Sequence, residues 1–174
     1  MQREQGRCAK ALEPARRALA IRERAFGAQS VKVASTLEEL GLCALEEGRW
    51  DEAIAIFERG LKIHEQTRGI GPERTVSKVA GLGLALAMTG RRKEGLEEIE
   101  RAMKLAEGVQ GLYGQATRGH VAWLHALAVA QEERTRALAI AEEARRMLES
   151  EPRYAVLARQ IERWIEEQPK KASR

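Results

Sequence analysis

The sequence predicts an all-α chain, built as a solenoid of helix-turn-helix repeats, and three observations carry that reading. The first is a repeat of 42 residues. Gly6-Arg7, Gly48-Arg49 and Gly90-Arg91 share one register, as do Leu19, Leu61 and Met103, and Gly27, Gly69 and Gly111. The second is a helical period inside each unit: Val33, Leu37, Leu40 and Ala44 fall on one face, and Ile54, Phe57 and Leu61 on another. The third is small residues at fixed places. Gly41, Gly83, Ala53, Gly95 and Ala137 leave room for two helix backbones to approach closely.

These signals place helices near 8–25, 31–47, 51–68, 73–89, 93–109, 115–131, 134–149 and 152–167. The first is a helix B whose preceding turn is expected at Gly6, so its own helix A is missing and its apolar face lies open. Such an end reads as a fragment of a longer protein or as a contact surface. The second helix has Ser30 as a candidate N-cap, and Pro72 occupies the equivalent place one unit later. Gly27, Gly69 and Gly111 follow the B helices, where a left-handed residue can end them. A fourth pass of the repeat is weaker, with Glu132-Glu133 in place of Gly-Arg and Ala137 and Ala144 still in register. The final helix carries Tyr154, Leu157, Ile161, Trp164 and Ile165 on one stripe, as a capping helix requires. The polar stretch 169–174 reads as a disordered tail.

The pattern resembles the tetratricopeptide repeat in its 42-residue form, as in kinesin light chains and many bacterial signalling proteins. Leu37, Leu40-Gly41, Ala44, Ala53, Phe57 and Gly60 carry the match in one unit, and Val79, Leu82-Gly83, Leu86, Gly95, Ile99 and Ala102 in the next. The third unit departs most, with His125 where glycine is expected and Ala141 where an aromatic belongs. The resemblance implies a right-handed α-solenoid over residues 1–168, divided into a partial repeat 6–30, repeats 31–72 and 73–114, a degenerate repeat 115–150 and a capping helix 151–168. The run from Thr135 to Arg145 also looks like the end of arrays attached to bacterial, notably myxobacterial, serine/threonine kinases. No kinase motif lies in this chain.

Composition and motifs point away from catalysis. His120 and His125 are five residues apart on a helix and form no zinc pair, and Gly81-Leu-Gly83 lies within a helix without a phosphate loop's third glycine. No enzyme activity, metal or cofactor is expected. Two cysteines, Cys8 and Cys43, are too few for a disulfide framework or a zinc site; they read as small buried apolar residues of a chain kept in a reducing, cytoplasmic compartment. No secretory leader is expected, since the first residues lack an apolar core, and no stretch approaches the roughly 18 apolar residues of a membrane span. The net charge of +4 is mild, and its basic residues alternate with acids, as in Arg91-Arg92-Lys93-Glu94. Helical charge pairs account for that pattern better than a nucleic-acid surface does.

What remains is binding of a protein or peptide. The resemblance implies that the A helices line a concave surface. The inward positions are Ser35, Glu38, Glu39, Leu42 and Leu45, then Ser77, Ala80, Gly81, Leu84 and Met88, then Gly119, Ala122, Trp123 and Ala126. This set is acidic first, then small and apolar, with one indole. It lacks the basic clamp by which some family members hold the acidic tails of chaperones. The expected ligand has an apolar anchor for Leu84, Met88 and Trp123 and a basic residue for Glu38 and Glu39. Two further readings concern the whole chain: a regulatory or recruiting segment of a kinase, and a homodimer through Leu12, Ala15, Leu19 and Phe26 of the open first helix.

Overall fold

A glycine or alanine at each crossing lets successive helices pair, and the pairs then stack. The computed structural model describes residues 5–149 and 151–168. Its helices are α1 (Gln5–Phe26), α2 (Val31–Glu46), α3 (Trp50–Gln66), α4 (Pro72–Met88), α5 (Arg92–Glu107), α6 (Gly111–Val129), α7 (Arg134–Glu149) and α8 (Ala155–Glu167). A 3-10 turn, Pro152–Tyr154, leads into α8. The expected tail 169–174 lies outside the described residues. Among those described there is no strand, and the all-α solenoid stands as read from the repeat.

Local chemistry explains most boundaries. Ser30 caps α2 by accepting from the Val33 N–H, and Pro72 takes the first turn of α4, where its missing N–H is no loss. Gly27, Gly69 and Gly111 have φ of 81°, 78° and 71° and turn the chain between pairs; Gly48 (69°) and Gly90 (88°) do the same inside pairs. Gly6 behaves differently. The turn expected there is absent, because α1 begins at Gln5 and runs through it.

Within the stack, α2 packs on α4 and α4 on α6, so the A helices share one side while α3, α5 and α7 back them. Phe57 of α3 is fully buried, 0% exposed, between α2 and α4. A methyl group added at Gly41 or Gly81 would fall 2.6 Å or 2.5 Å from its ring, so both positions must be glycine for the ring to fit. One unit later the backbones themselves meet: a Cβ on Gly95 would lie 2.5 Å from the Gly83 carbonyl oxygen. In the third pair the sizes are exchanged. The slot of Phe57 and Ile99 holds the buried Ala141, while the slot of Gly41 and Gly83 holds the half-buried His125. Volume has moved from helix B to helix A, which is how the degenerate unit keeps a filled interior.

One expectation is corrected outright. Cys8 of α1 and Cys43 of α2 are joined by a disulfide, with their Cα atoms 5.2 Å apart, and neither is the isolated apolar thiol read from the sequence. Thirty-five residues separate them in the chain, and only the packing of α1 on α2 brings them together.

Candidate functional site

The A helices and the terminal helix frame a cavity of about 440 Å3. Leu42 and Leu45 of α2, Leu84 of α4, Trp123, Leu124 and Leu127 of α6, and Val156 and Leu157 of α8 form its apolar wall. Cys8 of α1 and Trp50 of α3 also line it, and Glu46, His120, Arg153 and Gln160 supply its polar atoms. α8 therefore does more than cover α7. Trp164 of α8 meets Trp123 edge to face, with ring centroids 5.3 Å apart at 80°, a favoured geometry for two indoles. A second cavity of about 760 Å3 lies beside the first, between α2, α4 and α6, and includes Glu38, Leu42, Ser77, His120 and Val121.

The fourteen residues assigned to a concave groove separate into distinct groups. Leu42, Leu45, Leu84 and Trp123 meet around the first cavity, and Glu38, Leu42 and Ser77 line the second. Ser35 and Ala122 are half-buried and Glu39 is exposed. Ala80 and Ala126 are fully buried in helix packing. Gly81 faces the Phe57 ring, Gly119 faces Met147 and Leu148, and half-buried Met88 packs against the core. Trp123 is only 9% exposed, because Trp164 already covers part of its ring.

Sequence reasoning missed a polar seam behind the cavities. Positions 36, 78 and 120 occupy one register slot on the A helices, and each carries a polar side chain: Thr36, Lys78 and His120. Arg22 of α1 donates to Thr36, which in turn donates to the Lys32 carbonyl. Lys78 is 1% exposed and would be intolerable there unpaired. It pairs with Glu38 of α2 and donates to the Arg74 carbonyl at 2.8 Å. Glu38 is thus engaged inside the array, and the basic partner residue expected beside it has only Glu39 left to meet. The signal was available in the repeat register: a polar side chain recurs at this slot on the A helices, so Lys78 is not a solvated charge.

Three histidines share the interior. Burial holds His64 below its usual value near 6.5, and the positive charge of Lys78 pushes the same way. Burial also lowers His120, and it lowers His125 with help from Arg136. His64 Nδ1 lies 3.5 Å from the Thr75 hydroxyl oxygen. Among the described residues no cluster of three histidine, cysteine or acidic side chains could hold a metal ion. No helix there is long and apolar enough to cross a membrane. Several surface cations pair with acids three or four residues away, as in Arg91–Glu94, Arg101–Glu98 and Arg145 with Glu142 and Glu149.

Comparison with known proteins agrees with this geometry. Residues 1–66 match the tetratricopeptide repeat family. Two solved structures of TPR-like repeats from a putative kinesin light chain of Podospora anserina are similar in fold. One, of a singly substituted variant, has a TM-score of 0.54 at 17% identity, covering 95% of this chain and 89% of its own. The other has a TM-score of 0.55 at 17% identity, covering 98% and 93%. No curated protein matches the sequence.

Proposed function

We propose that this tetratricopeptide-type array is a non-catalytic scaffold that holds a peptide or helix of a partner protein in the cavity framed by α2, α4, α6 and α8. Repeats of this kind generally serve protein interaction. The observation that carries the finer reading is the apolar wall itself: leucines from three successive A helices and an indole converge on 440 Å3 of space. That volume suits one bulky apolar anchor side chain with its flanks, and the anchor gains by leaving water. The mechanism is geometric. Stacked pairs hold the wall in place before the partner arrives, so little ordering is required of the scaffold on binding.

The test is selection of displayed peptides on the full chain, followed by titration against variants. Selected sequences are expected to share a large apolar residue, and Leu42→Arg, which sets a charge in both cavities, is expected to weaken binding by about tenfold or more while the helical content is kept. Binding that ignores Leu42→Arg would refute this site. The similarity of residues 135–145 to kinase-attached arrays supports a place for the scaffold in a bacterial, cytoplasmic signalling protein, where it would recruit substrates or regulators. A second reading is self-association through α1, favoured by Ile21 at 67% exposure and Phe26 at 51%. Light scattering against concentration tests it, and a constant monomer mass would remove it.

A further inference from the structure

We propose that Cys8 and Cys43 are a redox-modification site: a reversible clasp that holds the opening segment of α1, residues 5–13, against the cavity wall and releases it on reduction. Three placements carry this. Cys8 is buried and tied covalently to α2, so the cysteine is an anchor of that segment. Pro14 lies inside α1 and cannot donate the bond that a helix directs to the carbonyl four residues back, which marks a weak point just after the segment. Beyond it, residues 15–26 have their own holds: Leu19 packs on the α2–α3 cluster, Arg22 donates to Thr36, and Glu23 pairs with Arg59. The disulfide thus fastens a separable half of the helix.

The same bond reaches the cavity. Cys8 of α1 lines it together with Leu45 and Trp50, so releasing 5–13 uncovers part of that wall. This step deepens the docking reading above, since the cavity it opens is the one proposed there.

The chemistry balances with a disulfide oxidant of the glutathione type. Cys43, the half-buried partner, is the thiol that meets it. The Cys43 thiolate attacks one glutathione sulfur, breaks that S–S bond and releases a glutathione thiolate, leaving a mixed disulfide. Cys8 then attacks the Cys43 sulfur and displaces the second glutathione. Two protein thiols are oxidised, one glutathione disulfide is reduced, and the two thiol protons end on the two glutathiones. In the reduced form the Glu46 carboxylate oxygen, 3.1 Å from Cys8 Sγ, is placed to accept the thiol proton in a hydrogen bond.

The experiment equilibrates the full chain in oxidised and in reduced glutathione, then combines thiol alkylation, intact mass, hydrogen exchange and acrylamide quenching of tryptophan. In the oxidising buffer neither cysteine is alkylated and a linked Cys8–Cys43 peptide appears in a monomer. In the reducing buffer both are alkylated, amides of 5–13 exchange about tenfold faster or more, those of 15–26 are unchanged, and quenching increases. Cys43→Ser behaves as the reduced chain in both buffers. Free thiols in the oxidising buffer, disulfide-linked dimers, or equal exchange of 5–13 in the two states would each overturn the clasp. These readouts need no partner, so a chain that shows them yet captures no peptide loses the docking reading and keeps the clasp.

Discussion

α1 and α3 hold the same place in the repeat, and their fates differ. Ala15, Leu19 and Ile21 stand 42 residues before Phe57, Leu61 and Ile63. On α3 those three are buried, Phe57 and Ile63 completely. On α1 Leu19 is half-buried and Ile21 is 67% exposed. The two isoleucines share a register slot, so the helical face is not what separates them. Ile63 packs against Val33, Ala34 and Leu37 of its own helix A, and nothing described stands in that place beside Ile21. In a repeat array the register chooses which side chains face inward, and the neighbouring helix decides whether facing inward removes them from water.

That difference can be pressed from its strongest consequence downward. Phe57→Ala empties a slot walled by two glycines that cannot fill it, and is expected to cost about 3–5 kcal/mol in urea unfolding. A loss below about 1 kcal/mol would mean that the stack collapses around the gap and that the glycine slots do not hold the pairs apart. Next comes Gly95→Ala, whose methyl would press on the Gly83 carbonyl and on the Ala87 backbone nitrogen at 2.6 Å. Both obstacles are backbone, so the expected cost is about 1–3 kcal/mol, read in the same assay.

Acidification probes the interior histidines more gently. His64, His120 and His125 are all held below their usual value by burial. The unfolded chain therefore binds protons that the folded chain refuses, and stability falls as pH drops below about 6.5, with no contribution from these groups above it. Thermal melts between pH 7.5 and 5.5 should show the midpoint decreasing, and His64→Gln should flatten part of that slope. The smallest effect belongs to α1. Ile21→Ala is expected to shift stability by no more than about 0.5 kcal/mol, as at other exposed positions, whereas Ile63→Ala in the same register slot costs about 2–4 kcal/mol. Equal losses at the two sites would show that α1 is covered in solution, which concentration-dependent light scattering would then confirm.

Much of the fold was legible before any coordinates. The spacing of Gly48-Arg49 and Gly90-Arg91, the period of Leu37, Leu40 and Ala44, and the cap at Ser30 are local or periodic signals, and they survive as turns, a buried face and an N-cap. Gly6 misled because α1 already begins at Gln5, which sets that Gly-Arg pair inside a helix and not at a turn. The site was legible only in part. Leu42, Leu45, Leu84 and Trp123 do converge, yet Gly81 and Gly119 turned out to face side chains of neighbouring helices, since one helix face touches both a groove and the next pair.

The sequence by itself determined the repeat, the helix pairs and the places where no Cβ could fit, because each depends on residues close in the chain or on strict recurrence at 42. Tertiary packing decided the rest. It set Lys78 beside Glu38, Trp164 on Trp123, and Cys43 beside Cys8. Those pairings join residues 35 to 41 positions apart, and no local rule of propensity, period or capping reaches so far. They follow only from how the superhelix brings successive helices round to face one another.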